Sequence, residues 1–275
     1  MRNESDKDVR SLVGLKVQVE NLSERSLDDR ISVCGEYQPD SPSIRRGIEE
    51  KKHWLQRMLR EQGPPSKLAY VDSKPVGHIQ FYPESSIPYL ENPDPKTLHV
   101  MCSFVRLALQ NKGCGTALFK SLLEDVKREG RFDRIETLGF DPPGCGFPQT
   151  TFWKKMGFQQ KPDGLPNELE YVVNGEPTTP QHSQPRSVDE RGAKIFYAPT
   201  CIYTHHFNDK MEETIRSVNA EIPVERINMW ENPDEAKTRR ITSSSCVYVN
   251  GHPMKHSIFE LENFKKEIQT LISDS

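Results

Sequence analysis

The most constraining feature of the chain is residues 104–116, FVRLALQNKGCGT, in which an apolar run leads through a polar turn to two glycines. The mostly apolar segment 98–105 predicts a strand near the centre of a sheet. Apolar residues at steps of four over 113–130 predict an amphipathic helix that begins at the glycines. The first N–H groups of a helix have no partner within it, and glycines there let an anion approach the backbone. The segment therefore predicts a phosphate-binding helix start.

The elements around this segment predict an α/β fold. Helical spacing over 41–63 is followed by two strand-like segments, 67–72 and 76–82, which form a predicted hairpin. A strand over 134–140 and a short helix over 148–156 follow the long helix. This alternation of strands and helices is typical of a mixed β-sheet flanked by helices.

Two separated motifs resemble those of the GNAT superfamily of acetyl-CoA-dependent N-acetyltransferases. The sequence QNKGCG at 110–115 is similar to the family signature Gln/Arg-x-x-Gly-x-Gly/Ala, and Val105 stands at the apolar strand-end position. Farther along, FWKKMGF at 152–158 is similar to the family's Tyr-Glu-Lys-x-Gly-Phe helix ending. The resemblance covers about residues 12–174.

The resemblance implies an N-acyltransferase that moves an acetyl group from acetyl-CoA to an amine. It implies that the backbone of two strand residues pairs with the pantetheine arm and that the following turn holds the pyrophosphate. The cofactor-binding residues implied in this way are Phe104, Val105, Gln110, Asn111, Lys112, Gly113, Cys114, Gly115 and Thr116. We expect a tryptophan placed at either glycine to abolish CoA binding while leaving the fold intact.

One departure from the family concerns catalysis. Trp153 stands where many members carry a tyrosine that protonates the leaving thiolate, and an indole N–H is not a usable acid. The sequence therefore identifies no catalytic residue. The candidates for proton handling are His99 and Cys102 on the central strand, His78 on the preceding hairpin and Cys145 after the next strand.

The second half of the chain predicts a separate domain. Residues 175–190 are rich in Pro, Gln, Ser and Thr and lack apolar periodicity, which predicts a linker. We therefore expect a disordered terminus over 1–11, an acyl-CoA-binding domain over 12–174 and a smaller domain over 191–275.

Residues 191–275 predict the element order β-α-β-α-β-(β)-α, with Cys201 at the first strand-to-helix turn. This order resembles a thioredoxin-like domain, in particular the small YoaP-type domain appended to some GNAT acetyltransferases. Thr204 replaces the second cysteine of a CxxC pair, and Ser243 stands at the position of the usual cis-proline. The resemblance thus implies a degenerate domain without two-electron redox activity. A thiol or metal role of Cys201, with His205 nearby, stays open.

Composition excludes several classes of protein. With 37 basic and 40 acidic residues, the net charge of −3 gives no support for binding nucleic acid or an anionic membrane surface. No apolar run approaches the ~20 residues of a membrane helix, and the N-terminus lacks the apolar stretch of a signal peptide. We therefore expect a cytoplasmic protein. Its six cysteines form no CxxC pair, which predicts free thiols and no metal.

Two other functions fit the same residues. The first is a CoA-binding regulatory or adaptor protein without turnover, favoured by Trp153 and by the lack of a clear general base. The second is a thiol- or metal-handling protein centred on Cys201, with Cys34 or Cys145 as further ligands. The sequence does not choose the acceptor, a small-molecule or a protein amine, and it leaves a homodimer open.

Overall fold

The computed structural model describes residues 16–34, 41–141, 147–180 and 192–273. These residues form a seven-stranded and a four-stranded β-sheet. The predicted disordered terminus and most of the predicted linker lie outside the described residues. Within the described ranges, no helix combines the length and the apolar character that crossing a membrane requires.

The first sheet and its helices come from the N-terminal part of the chain. The strands are β1 (Gln18–Asn21), β2 (Ser66–Val71), β3 (Lys74–Pro83), β4 (Thr97–Val105), β5 (Arg134–Leu138), β6 (Gln159–Gln160) and β7 (Glu168–Val172). The helices are α1 (Leu27–Cys34), α2 (Pro42–Glu61), α3 (Cys114–Glu129) and α4 (Gln149–Lys155). The strand order is β1-β2-β3-β4-β5-β7-β6, and β4 and β5 form its one parallel pair.

The predicted long helices are confirmed, and local chemistry explains their ends. In α2 the Ser41 side chain accepts a hydrogen bond from the Ile44 N–H group, and Pro42 occupies the first helical position. In α3 both flanking glycines, Gly113 and Gly130, adopt left-handed backbone conformations. Helix α1 and strand β7 were not predicted.

Helices cover both faces of this sheet. Leu68 and Ala69 are neighbours on β2, so their side chains point to opposite faces. Leu68 belongs to the core that α1 and α2 cover, whereas Ala69 belongs to the core with α3 and α4. The sheet is therefore the middle layer between two helical layers.

The second sheet comes from the C-terminal part of the chain, 192–273, here called the C-terminal unit. Its elements are β8 (Ala193–Tyr197), α5 (Thr204–Val218), β9 (Val224–Asn228), α6 (Pro233–Lys237), β10 (Ser245–Val249), β11 (His252–Pro253) and α7 (Leu261–Ser273). The predicted element order is confirmed, although Ile258 lies before the final helix rather than in it. Strand β8 runs parallel to β9 and antiparallel to β10, and the sheet order is β11-β10-β8-β9.

The C-terminal unit packs directly against α1 and α2. One continuous apolar core contains Trp54 and Leu55 of α2 together with Ile202 and Met229 of the C-terminal unit. Polar contacts join the same surfaces: Glu50 Oε2 lies 2.7 Å from His205 Nε2, the Ser43 hydroxyl donates to Asp209, and the Tyr203 hydroxyl donates to the Cys34 carbonyl at 2.9 Å. The α1/α2 face of the first sheet is therefore covered.

Candidate functional site

Strands β4 and β5 share a ladder over only part of their length. Their parallel register runs from Thr97 opposite Arg134 to Val100 opposite Thr137. Strand β4 continues to Val105, and on its other side it remains paired with β3, where His78 lies opposite Phe104. Residues 101–105 of β4 therefore extend beyond the ladder that β4 forms with β5. Next to it, the Gln149 side chain donates to the Ser103 carbonyl at 2.9 Å.

The turn after β4 is held by the side chain of Gln110. Its amide nitrogen donates to the Val105 carbonyl at 3.0 Å, and its amide oxygen accepts from the Phe147 N–H group at 2.8 Å. The next turn residue, Asn111, has a positive φ of 60°. Gln110 therefore ties the turn between β4 and α3 to the residue that precedes α4 by two positions.

Helix α3 begins with backbone donors that the helix does not use. The Ala117 N–H group donates to the Gly113 carbonyl at 2.9 Å, so the N–H groups of residues 114–116 precede the first intrahelical bond. A Cβ atom at Gly113 would meet nothing within 4 Å, whereas one at Gly115 would lie 3.1 Å from the Phe152 ring. Gly113 thus keeps space open at the helix start, and Gly115 allows α3 to pack on α4.

The other predicted contact residues differ in exposure. Asn111 is exposed, Lys112 and Thr116 are partly exposed, and Cys114 is buried. Burial raises the pKa of the Cys114 thiol, and its own backbone N–H group and Lys112 offset this only in part. Cys114 is therefore a neutral packing residue at neutral pH.

Trp153 is fully buried beneath this site. Its ring packs against Phe152 at 4.8 Å, Phe158 at 5.0 Å and Phe119 at 5.8 Å between centroids. Its indole N–H group has no hydrogen-bond partner in the described part of the chain. The side chain at this position is therefore a core residue that joins α3 to α4.

We predict that Trp153→Ala lowers the free energy of unfolding by about 3–5 kcal/mol, because it removes a large buried ring and leaves a cavity. Urea unfolding followed by circular dichroism measures the change. Trp153→Phe keeps most of the packing and should cost much less. Equal stability of the alanine variant and the unmodified protein would contradict the assignment of this ring to the core.

Of the predicted proton-handling residues, His99 and Cys102 lie on β4 and His78 lies on β3. The ring of His99 stacks on Tyr82 with centroids 6.5 Å apart, and burial lowers the pKa of His99. Burial raises the pKa of Cys102 to about 11, so this thiol stays protonated at neutral pH. Cys145 lies outside the described residues. His78 is completely buried, and burial followed by the charges of Arg30 and Lys51 holds its pKa well below the ordinary value.

The structure brings together three cysteines that are far apart in the sequence. Cys34 Sγ accepts a hydrogen bond from Arg30 Nη1 at 2.8 Å and lies 3.7 Å from Lys51 Nζ and 3.5 Å from His78 Nε2. Electrostatic interaction links Cys34 to both Cys102 and Cys201. We call this group the thiol cluster; its members are Arg30, Cys34, Lys51, His78, Gln80, Cys102 and Cys201.

The two thiols on opposite sides of the interface have different protonation preferences. Burial raises the pKa of Cys34, but the charges and hydrogen bonds of Arg30 and Lys51 outweigh burial, so the net pKa lies below the ordinary value. Burial dominates at Cys201, whose pKa is raised. The cationic environment therefore belongs to Cys34 and not to Cys201. Among the described residues, no group of three or more His, Cys, Asp or Glu side chains is arranged to hold a metal ion.

A separate cleft of about 390 Å³ lies between α2 and the C-terminal unit. Trp54 and Arg57 line it on one side and Trp230 and Glu231 on the other, with the Arg57 guanidinium 5.3 Å from the Trp230 ring centre. None of its lining residues belongs to the β4 edge or to the start of α3. The cleft is thus a feature of the interface between the two units.

Comparisons with known proteins find a family that is similar to part of the first sheet and its helices. The family model described as "Acetyltransferase (GNAT) family" matches residues 31–158. A protein of Bacillus subtilis (strain 168) named "Uncharacterized N-acetyltransferase YoaP" is 20% identical over 230 residues, which are 82% of this chain and 88% of that protein.

Similar solved structures include PaiA N-acetyltransferase of Thermoplasma acidophilum in complex with coenzyme A. It is 17% identical, with a TM-score of 0.42, over 57% of this chain and 99% of that one. A Pyrococcus horikoshii structure described as an acetyltransferase is 22% identical, with a TM-score of 0.40, over 55% of this chain and 46% of that one. This chain thus spans about half of the length of the Pyrococcus protein. Residues 31–158 are therefore similar to the acetyltransferases of the GNAT family.

Proposed function

We propose that the protein transfers the acetyl group of acetyl-CoA to an amine. The observation that carries this proposal is the start of α3, where three backbone N–H groups without intrahelical partners follow the part of β4 that extends beyond its ladder with β5. The helix dipole adds about half a positive charge there, so the position favours a pyrophosphate. The space at Gly113, where a Cβ atom would meet nothing within 4 Å, fits a bulky anionic group.

The proposed contacts to acetyl-CoA are mainly backbone contacts. The N–H groups of 113–116 would bind the pyrophosphate, and the backbone of Phe104 and Val105 would bind the pantetheine arm. Gln110 would contribute indirectly, because its side chain fixes the turn through Val105 and Phe147. The thioester supplies an activated acyl group, and the protein contributes by holding that group close to the amine.

Proton transfer in the proposed reaction falls to groups other than Trp153, which is buried and has no acidic proton. His99 is our candidate to accept the proton of the amine. Burial keeps its imidazole neutral at neutral pH, and its Nδ1 atom has no hydrogen-bond partner in the described part of the chain. A neutral imidazole with a free nitrogen can act as a general base.

We also propose that the C-terminal unit is a thioredoxin-like domain that has no redox activity and that begins at about residue 191. The order β11-β10-β8-β9, with β8 parallel to β9 and antiparallel to β10, supports this proposal. Thr204 occupies the position of the second cysteine, and its hydroxyl donates to the Ala198 carbonyl at 3.0 Å. The role we propose for the unit is to cover the α1/α2 face.

Calorimetric titration of the full chain with acetyl-CoA, CoA and ATP tests the proposed function. We expect both CoA compounds to bind with a micromolar Kd, on the order of −8 kcal/mol, and ATP to bind much more weakly. Release of CoA in the presence of a panel of amines then tests turnover. Absence of CoA binding would overturn the proposal, and tight binding without any transfer would favour the regulatory alternative.

A further inference from the structure

The thiol cluster is a buried polar group that the proposed acetyl transfer does not need. Arg30 and Lys51 are 0% and 1% exposed, so two cationic side chains are removed from water. In the described part of the chain neither forms an ion pair with a carboxylate; Arg30 contacts Cys34 and Gln80, and Lys51 contacts Cys34. Buried cations are strongly unfavourable without a compensating negative charge. An ionised Cys34 supplies that charge.

Two buried nitrogen atoms of the thiol cluster lack hydrogen-bond partners among the described residues, which indicates a site for a further ligand. Arg30 Nε and His78 Nδ1 are buried and have no hydrogen-bond partner within the described residues. Both residues are 0% exposed, and both contact Cys34 through their other nitrogen atoms. Unsatisfied buried donors are rare in folded proteins and call for a ligand or a functional explanation.

The thiol cluster also lies beside the proposed position of the thioester. Cys34 is partly exposed and contacts His78, which lies opposite Phe104 in the ladder between β3 and β4. Gln80, which binds Arg30, lies opposite Cys102 in the same ladder. These β4 residues belong to the stretch beyond the last pair with β5. Cys34 therefore lies next to the β3 residue that pairs with this stretch of β4.

We propose that Cys34 is a thiolate in the folded protein and that it accepts the acetyl group before the amine does. This inference rests on the proposed function, which supplies acetyl-CoA as the donor. The Cys34 sulfur bonds to the acetyl carbonyl carbon, the bond from that carbon to the CoA sulfur breaks, and CoA leaves as a thiolate. The amine nitrogen then bonds to the acetyl carbon and loses a proton to His99, which passes it to solvent, and Cys34 leaves as a thiolate. The departed CoA thiolate takes up a proton from solvent.

This order of events explains the tolerance of Trp153 at the position of the family's acid. The leaving group of each step is a thiolate, so neither sulfur has to be protonated before its bond to the acetyl carbon breaks. The second step expels Cys34, whose thiolate the buried Arg30 and Lys51 stabilise. A covalent intermediate of this kind divides one difficult transfer into two easier steps.

The groups that face Cys34 from each neighbouring element support the ionised state. Within the described residues, Arg30 comes from the same helix, Lys51 from α2 and His78 from β3, and the neutral thiols Cys102 and Cys201 lie nearby. Two of these groups are cations and the others are uncharged at neutral pH. The balance of charge therefore favours a thiolate at Cys34.

A single-turnover experiment tests the proposal directly. The full chain is mixed with acetyl-CoA in the absence of any amine and quenched in acid, and its intact mass and peptide map are measured. We expect one acetyl group on Cys34, none in Cys34→Ser, and an unchanged adduct in the control Cys246→Ser. A protein that binds acetyl-CoA but carries no adduct on Cys34 would overturn the inference alone. A protein that does not bind acetyl-CoA would overturn the proposed function as well.

The pH dependence of alkylation provides a second readout, which needs neither acetyl-CoA nor a replaced cysteine. We expect the iodoacetamide rate at Cys34 to reach half of its plateau well below the ~8.5 of a free thiol. Lys51→Met should move this midpoint up by about one pH unit and slow alkylation at neutral pH by about tenfold, whereas Lys51→Arg should keep it low. A midpoint at or above ~8.5 in the unmodified protein means that Cys34 is not a thiolate.

Discussion

Gly113→Trp is expected to weaken acetyl-CoA binding by at least about 100-fold, equivalent to about 2.7 kcal/mol. The indole would occupy the space in front of the N–H groups that we propose bind the pyrophosphate. Nothing in the protein lies within 4 Å of a Cβ atom at this position, so the side chain itself causes no clash. The positive φ of 88° adds backbone strain of about 1–3 kcal/mol. Calorimetric titration measures the loss of affinity.

Gly63→Trp is the matched control for this experiment. Gly63 has a φ of 86° and open space around its Cβ position, but it lies in the turn after α2. The variant should therefore suffer the same strain and bind acetyl-CoA normally. Full binding by Gly113→Trp, or equal losses in both variants, would refute the placement of the pyrophosphate.

The expectation that a tryptophan at residue 115 would leave the fold intact does not hold. A Cβ atom at Gly115 would lie 3.1 Å from the ring of Phe152 in α4, so a large side chain must disrupt that contact between α3 and α4. A binding defect in Gly115→Trp could therefore come from disrupted packing of α3 on α4 as well as from loss of the binding site. Residue 113 alone allows a clean test.

Gly47→Ala is expected to disturb the attachment of the C-terminal unit to the first sheet. The added Cβ atom would lie 2.1 Å from the Ile202 carbonyl oxygen, which is backbone and cannot rotate away. Alanine normally stabilises a helix by about 1 kcal/mol relative to glycine. Here the overlap should outweigh that gain and destabilise the protein by about 1–3 kcal/mol, which corresponds to a fall in Tm on the order of 5 °C.

Calorimetric melting and small-angle X-ray scattering measure the two parts of this effect. A partly detached C-terminal unit should increase the radius of gyration as well as lower the Tm. Glu49→Ala, at an exposed position of the same helix, is the control and should change neither quantity. An unaltered Tm in Gly47→Ala would mean that α2 and Ile202 do not meet in solution.

The predictable elements of the fold are those that local physics determines. Helices α2 and α3 carry apolar residues at helical spacing and have capping residues at their ends, so their bounds agree with prediction within about two residues. Helix α1 was not predicted because it is short and because buried Arg30 interrupts its apolar face. Strand β7 was missed because alternating glutamates look solvent-exposed, although Glu170 is in fact 1% exposed.

The candidate site shows the same division. The glycine-rich start of α3 is visible in a few consecutive residues, because free N–H groups at a helix start follow from the geometry of any helix. The hydrogen bonds by which Gln110 holds the turn could not be predicted from the sequence. Its amide binds Phe147, which is 37 residues away in the chain.

The sequence by itself determined the long helices, the glycine-rich start of α3 and the lack of a CxxC pair, because each of these depends on neighbouring residues. Only the tertiary structure decided which thiol lies among cations. Arg30 lies one helical turn before Cys34 in the sequence, but the second cation, Lys51, and the burial of both charges follow only from the fold. Folding places Arg30 and Lys51 around Cys34 and covers them with the C-terminal unit. Burial then strengthens those charges, since a low-dielectric interior screens them far less than water does.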